Sequence, residues 1–197
     1  VFTKISGLSE NQIMGSGTIL DTARLRYGLS EHFKVAQGNI HAYVFGEHGD
    51  TSFIPWTGAY ISGLSTDEYY EEMKAHGKDV KPLDKEAMLE YVQKSGGKVI
   101  AKKGATFYAV SATVCQLVGL ILAASDSLAT VSSMLHGEYG IEDVCLSTLT
   151  LVGPNGIQGK VQMRMNKEEV ALLKKSADAL KEVIAQIELQ SLIHISE

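Results

Sequence analysis

Asp21 and Arg24 stand three residues apart within TILDTARLRYGLSEHFK, Thr18 to Lys34, a run whose apolar residues recur near helical spacing. On a helix that separation is about 60° of rotation. Both side chains therefore project toward one cleft, or they form a surface ion pair worth only about a few tenths of a kcal/mol. Arg26, two positions past Arg24, is turned away by roughly 200° and must address solvent or a second site. His48 lies in Gly46-Glu47-His48-Gly49-Asp50, where the two glycines permit a sharp turn that holds the imidazole at a loop tip. A histidine mounted in this way after a strand is either an idle exposed side chain or a general acid or base that titrates near neutrality. His41, Glu47, His48 and Asp50 lack HExxH-type spacing, so no metal centre is expected.

The elements that must position these groups follow from pattern. Helix 18–34 is opened by Gly15 and Gly17, and Ile40 to Phe45 (IHAYVF) reads as a strand running into the His48 turn. Residues 51–63 read as short strands, 66–76 and 84–103 as helices, the second with Asp84 as N-cap behind Pro82. Strands are expected at 129–135 and 144–152, then a turn in GPNGIQG, a short strand near 160–163, and a last amphipathic helix capped by Asn166. The opening VFTKISGL reads as strand or loop, and it lacks the basic and apolar regions of a secretory signal. Between Lys103 and Asp126, 22 residues carry no charge. Thr106, Ser111, Thr113, Gln116 and Ser125 interrupt that stretch, so a buried core helix over 105–125 is expected rather than a membrane span. Helices and strands interleave unevenly, which implies an α+β fold with antiparallel strands packed against long helices.

Composition narrows the function classes. The 197 residues are 45% hydrophobic and 21% charged, ordinary for a folded chain that buries its own core. A formal charge of −5 with no Lys/Arg block argues against nucleic acid as partner. Cys115 and Cys145 form no CxxC, so a disulfide scaffold is not expected and a reducing cytoplasm is the default compartment. No GxGxxG follows a strand, because Gly15-Ser16-Gly17 meets Leu20 where a third glycine is needed; the chain has no dinucleotide-binding fingerprint of its own.

GSGTILDTARLRY (Gly15 to Tyr27), HAYVFGEHGD (His41 to Asp50) and GATFYAVSATV (Gly104 to Val114), in this order and spacing, resemble the C-terminal substrate-binding half of the L-lactate dehydrogenases. The resemblance runs from Phe2 to about Leu189, and GSGT ahead of the helix places malate dehydrogenase, or another L-2-hydroxy acid dehydrogenase, second. It implies a lactate/malate dehydrogenase C-terminal fold over residues 1–188; the final LQSLIHISE breaks the charge and apolar rhythm of the last helix and reads as a frayed or non-native tail over 189–197. It also implies roles. The proton donor and acceptor falls on His48, the carboxylate that orients it on Asp21, and the clamp for the substrate carboxylate on Arg24. Thr106 lines the substrate pocket, while Val110 and Ser16 lie near the nicotinamide of NAD; taken as residue types alone, these three are ordinary packing residues. Arg26 and His41 fall where the bacterial enzymes activated by fructose 1,6-bisphosphate hold a phosphate at a subunit interface, or they are solvated charge.

The family's nucleotide-binding domain and its mobile specificity loop have no counterpart in this sequence. The chain alone is therefore expected to be nearly inactive, within a full-length enzyme that interconverts pyruvate and (S)-lactate as a homo-oligomer, by resemblance a tetramer. A non-catalytic regulatory or structural module is the alternative.

Overall fold

The computed structural model describes residues 2–187; the 189–197 tail expected from sequence lies outside the described residues. α1 (Phe2–Ile5) is a single helical turn, closed by Ser6 N–H donating to the Phe2 carbonyl, where a strand or loop was expected. α2 (Ile19–Phe33) buries Ile19, Asp21, Thr22, Leu25, Leu29 and Phe33, which repeat at three- and four-residue intervals and form one face. It stops at Lys34, whose left-handed φ of 53° ends the helical path. Only Ile40–His41 (β1) forms a strand in the expected 40–45 run. β1 pairs antiparallel with β2 (Tyr60–Ile61), which pairs with β3 (Leu64–Ser65). Residues 51–59 are mostly irregular because each short piece turns to feed a buried side chain, such as Phe53, Ile54 or Ala59, into the core.

α3 (Thr66–Ala75) begins in a Ser65/Glu68 capping box, and α4 (Lys85–Lys103) at Asp84, whose carboxylate accepts from Ala87 N–H at 2.9 Å. α4 packs on α2 through Val92, beside Leu25, Leu29, Ile40, Val44 and Ile61, in the first of three apolar clusters. α5 (Tyr108–Leu122) departs from the expected core helix. Only Thr113 and Leu117 are buried, whereas Tyr108, Val110, Val114, Val118 and Leu122 are exposed. The helix is apolar on most sides, and within this chain one stripe of it is covered, by Ile19, Val131 and Val152. Among the described residues no helix is long and apolar enough to cross a membrane.

Each of the two long strands expected from sequence is divided between two sheets. β4 (Ser127–Ala129) pairs with β7 (Thr150–Gly153), which pairs with β8 (Gly156–Lys160); β5 (Ser132–His136) pairs with β6 (Glu142–Ser147). The breaks at Thr130-Val131 and Thr148-Leu149 carry the chain from one sheet to the other while keeping Val131 and Leu149 in the core. The third hairpin turns at Pro154-Asn155, so its second strand begins at Gly156, four residues before the expected position. α6 (Lys167–Ala185) starts at the Asn166/Glu169 capping box and packs Leu173 and Ala177 against Phe45, Phe53, Leu135 and Leu146. All described strand pairs are antiparallel, and the fold is α+β.

Candidate active site

Asp21 links the helix to the turn. Its side chain is 5% exposed, and a carboxylate buried to that degree requires partners for both oxygens. Oδ1 accepts from Arg24 Nη1 at 3.0 Å, and Oδ2 lies 2.6 Å from His48 Nδ1. The pair is thus a largely buried one shared with a third group, His48, and not a solvated i,i+3 bridge; Arg24 is itself mostly buried.

The imidazole is placed by the turn that carries it. Phe45 and Phe53 exchange backbone hydrogen bonds of 2.9 and 3.1 Å, closing the loop between them. Gly46 adopts φ 96° and exchanges hydrogen bonds with Ser147 at 3.0 and 3.1 Å, which ties the turn to the end of β6. Farther along, Gln93 of α4 donates through Nε2 to the carbonyl oxygens of Ser52 at 2.9 Å and Asp50 at 3.2 Å. The His48 side chain remains 63% exposed with Nδ1 turned to Asp21, so Nε2 is the nitrogen free for an incoming group. Its pKa is raised above 6.5, foremost by the hydrogen bond to Asp21 and further by the charges of Asp21 and Glu47; burial and the Arg24 charge oppose the rise.

A cavity of about 240 Å³ opens beside these groups, with Asp21, Arg24, His48, Gln93, Thr106 and Val110 in its walls. The volume suits a small molecule. α4 forms the wall opposite α2 with Gln93, Ile100 and, between them, the backbone of Gly96 and Gly97: a Cβ at Gly96 would stand 3.8 Å from Arg24 Nη2. The guanidinium keeps donors beyond the one given to Asp21, so it can grip a carboxylate while the imidazole faces a neighbouring oxygen. Among the described residues no group of three His, Cys, Asp or Glu side chains could hold a metal ion.

Five sequence-expected residues, Asp21, Arg24, His48, Thr106 and Val110, come together here. Ser16 does not line the cavity; it is exposed in the loop ahead of α2, its carbonyl accepting from Ile19 N–H at 3.2 Å. Arg26 points elsewhere, as helical rotation requires. Its Nε donates to the Ala42 carbonyl at 3.1 Å and its guanidinium lies 5.0 Å from the Tyr43 ring centroid, while the adjacent His41 is exposed on β1. Gln93 and Ser176, which touch the His48 loop, are not among the sequence candidates. The signal available for Ser176 is a hydroxyl on the apolar face of α6, between Leu173 and Ala177.

Residues 18–190 match the family model described as lactate/malate dehydrogenase, alpha/beta C-terminal domain. The chain is 44% identical to the L-lactate dehydrogenase of Acetivibrio thermocellus over 186 residues, covering 94% of this chain and 58% of that protein. It is 42% identical to L-lactate dehydrogenase 1 of Clostridium acetobutylicum, covering 93% and 58%. Among solved structures it superposes on an L-lactate dehydrogenase from Clostridium thermocellum with TM-score 0.84 and 34% identity, covering 94% of this chain and 60% of that one. The minor L-lactate dehydrogenase of Enterococcus mundtii gives TM-score 0.86 and 29% identity, covering 95% and 58%. The chain therefore spans a little under three fifths of the curated relatives it matches.

Proposed function

The chain belongs to the lactate/malate dehydrogenase alpha/beta C-terminal domain family, and on that premise we propose that it is the substrate-binding part of an NAD-dependent L-lactate dehydrogenase. The observation that carries this reading is the double use of Asp21, whose two oxygens hold the imidazole of His48 and the guanidinium of Arg24 at one small cavity.

The chemistry follows from the groups. A 2-oxo acid such as pyruvate presents a planar carboxylate, which the remaining guanidinium donors of Arg24 hold with directional charge-assisted hydrogen bonds. That grip fixes the carbonyl toward His48. Reduction builds negative charge on the carbonyl oxygen; protonated His48 stabilises it and delivers the Nε2 proton as it forms. Asp21 offsets the imidazolium charge and holds the ring by Nδ1, which leaves Nε2 as the transferring atom. In lactate oxidation His48 accepts the same proton. Thr106 lines the pocket and Val110 supplies an apolar wall suited to the face of a nicotinamide ring. Ser16 is assigned to that ring by its place in GSGT, where its exposed position ahead of α2 suits a group approaching from outside the chain. When bound, NADH supplies the hydride. Its nucleotide part belongs to residues beyond this sequence, which lacks the glycine fingerprint.

The same proposal includes a homo-oligomeric, cytoplasmic enzyme, and fructose 1,6-bisphosphate as effector at Arg26 and His41. The hydrogen bond from Arg26 to Ala42 fixes the guanidinium one residue from His41, which supports a paired cationic site. The test of the main reading is pyruvate-dependent NADH oxidation by the protein expressed with the coding sequence that precedes Val1 in frame. Turnover lowered by about 10²–10⁴-fold in His48→Gln is the expected result; turnover indifferent to that change overturns the assignment. Residues 1–197 alone are expected to be nearly inactive, because NADH is then not held against the substrate.

A further inference from the structure

The turn bearing His48 is held from a part of the chain far away in sequence. Ser176, in the middle of α6 and fully buried, accepts the Glu47 N–H through Oγ at 2.8 Å. Thr51 Oγ1 lies 2.6 Å from Glu47 Oε1 and 3.0 Å from Ser176 Oγ, and the Thr51 N–H donates to the same Glu47 oxygen at 3.2 Å. A hydroxyl has one proton. With the Thr51 proton given to the carboxylate, the stronger acceptor, the Thr51–Ser176 contact is completed by the Ser176 proton. The hydrogen bonds then close a ring: Glu47 N–H to Ser176, Ser176 to Thr51, Thr51 to the Glu47 carboxylate. His48 is the residue immediately after Glu47.

The backbone is fitted to this ring. At Gly46 an added Cβ would fall 2.7 Å from Ser176 Oγ and 3.2 Å from its Cβ, so the chain passes α6 at a distance only glycine allows. The 2.6 Å contact between His48 Nδ1 and Asp21 joins a turn residue to a helix residue, and it persists only while turn and α2 keep their separation. α2 is held by its own packing. The turn consists of four exposed or half-exposed residues, and buried Ser176 is the fixed side chain at its base.

We infer that Ser176 is a positioning residue for His48: through the ring with Glu47 and Thr51, the last helix sets where the imidazole stands relative to Asp21. The inference deepens the proposed function and rests on it for its catalytic meaning, but the placement of the ring can be read without turnover. The groups that face His48 are Asp21 and Arg24 from α2, Glu47 from its own turn and uncharged Gln93 from α4; Ser176 itself carries no charge.

The experiment is an NMR titration of the His48 ring protons in the 197-residue chain, wild type against Ser176→Ala and Ser176→Thr, with thermal unfolding of each. Ser176→Ala is expected to move the His48 midpoint down toward 6.5 as the Asp21 contact lengthens, and Ser176→Thr, which keeps the hydroxyl, to restore it at least in part. A wild-type midpoint in folded Ser176→Ala overturns the inference. If Ser176→Ala does not fold, Thr51→Val, at a half-buried position, carries the test: an unshifted midpoint overturns the inference, and a downward shift sustains it. Failure of the function reading shows differently, as turnover of the longer protein that survives His48→Gln.

Discussion

His48 and Asp21 meet through Nδ1 and Oδ2 at 2.6 Å, one group exposed at a loop tip and the other buried in the first turn of a helix. That pairing raises the histidine pKa above 6.5, chiefly through the hydrogen bond itself. A group whose folded pKa is raised contributes stability that is complete below its unfolded value and lost as pH rises through the folded value. Wild type is therefore expected to exceed His48→Gln in Tm at pH 6 by more than at pH 8.5, and an equal difference at both would show that the contact does not favour the charged ring. The effect is modest because the ring is largely solvated.

Asp21→Asn removes the charge while keeping the shape. Loss of its hydrogen-bond and charge contributions leaves burial and Arg24 acting on His48, so its titration midpoint is expected to fall to 6.5 or below. NMR of the ring protons measures it directly. Pyruvate reduction by the longer protein would then lose activity at a lower pH than wild type, since fewer rings carry the proton to be transferred.

Arg24→Lys keeps the charge and loses the fork. Substrate and substrate-like acids are expected to bind more weakly, visible as a raised KM for pyruvate and poorer inhibition by the unreactive isostere oxamate. His48→Gln is expected to lower kcat by about 10²–10⁴-fold, the usual worth of a general acid, and to leave oxamate inhibition largely in place. The opposite division of effects between the two residues would reverse their roles.

Calorimetry with fructose 1,6-bisphosphate addresses the second cationic pair. The longer protein is expected to give a binding heat that Arg26→Gln together with His41→Asn removes. An unchanged heat in the double variant would dissociate both residues from the effector.

Gly17 tests the approach to the site. It adopts φ 52°, and a Cβ there would fall 2.4 Å from Ser147 Oγ, 2.6 Å from Ser132 N and 2.8 Å from Thr130 O. Two of those atoms are backbone and cannot step aside. Gly17→Ala is expected to cost about 3 kcal/mol from overpacking and the unfavourable backbone region, measured by denaturant unfolding.

Local signals were legible where the chemistry is local. Helical rotation separates Arg24 from Arg26, and the structure sends one to the cavity and the other to the Ala42 carbonyl. Asp84 and Asn166 are caps because short polar side chains before an apolar period satisfy free N–H groups. What sequence could not give depends on distant partners. Thr130 and Leu149 sit in apolar runs that look continuous, and only the choice of neighbouring strand divides them. The exposure of Val110, Val114 and Val118 is equally invisible, because apolarity gives a helix's wish to be covered and not the surface that covers it. Ser176 belongs with these: its hydroxyl matters for a turn more than a hundred residues earlier.

Gly96 and Gly97 lie adjacent within α4, and a Cβ at Gly96 would stand 3.8 Å from Arg24 Nη2. Each glycine has about 1 kcal/mol less helix-forming tendency than alanine, so the turn of α4 that borders Arg24 is the one with the weakest intrinsic helical preference. The cavity thus meets glycine backbone on its α4 side and the ion-paired side chains of Asp21 and Arg24 on its α2 side. A side chain introduced at Gly96 would narrow the space beside Arg24, so the bareness of that position sets the room left next to the guanidinium.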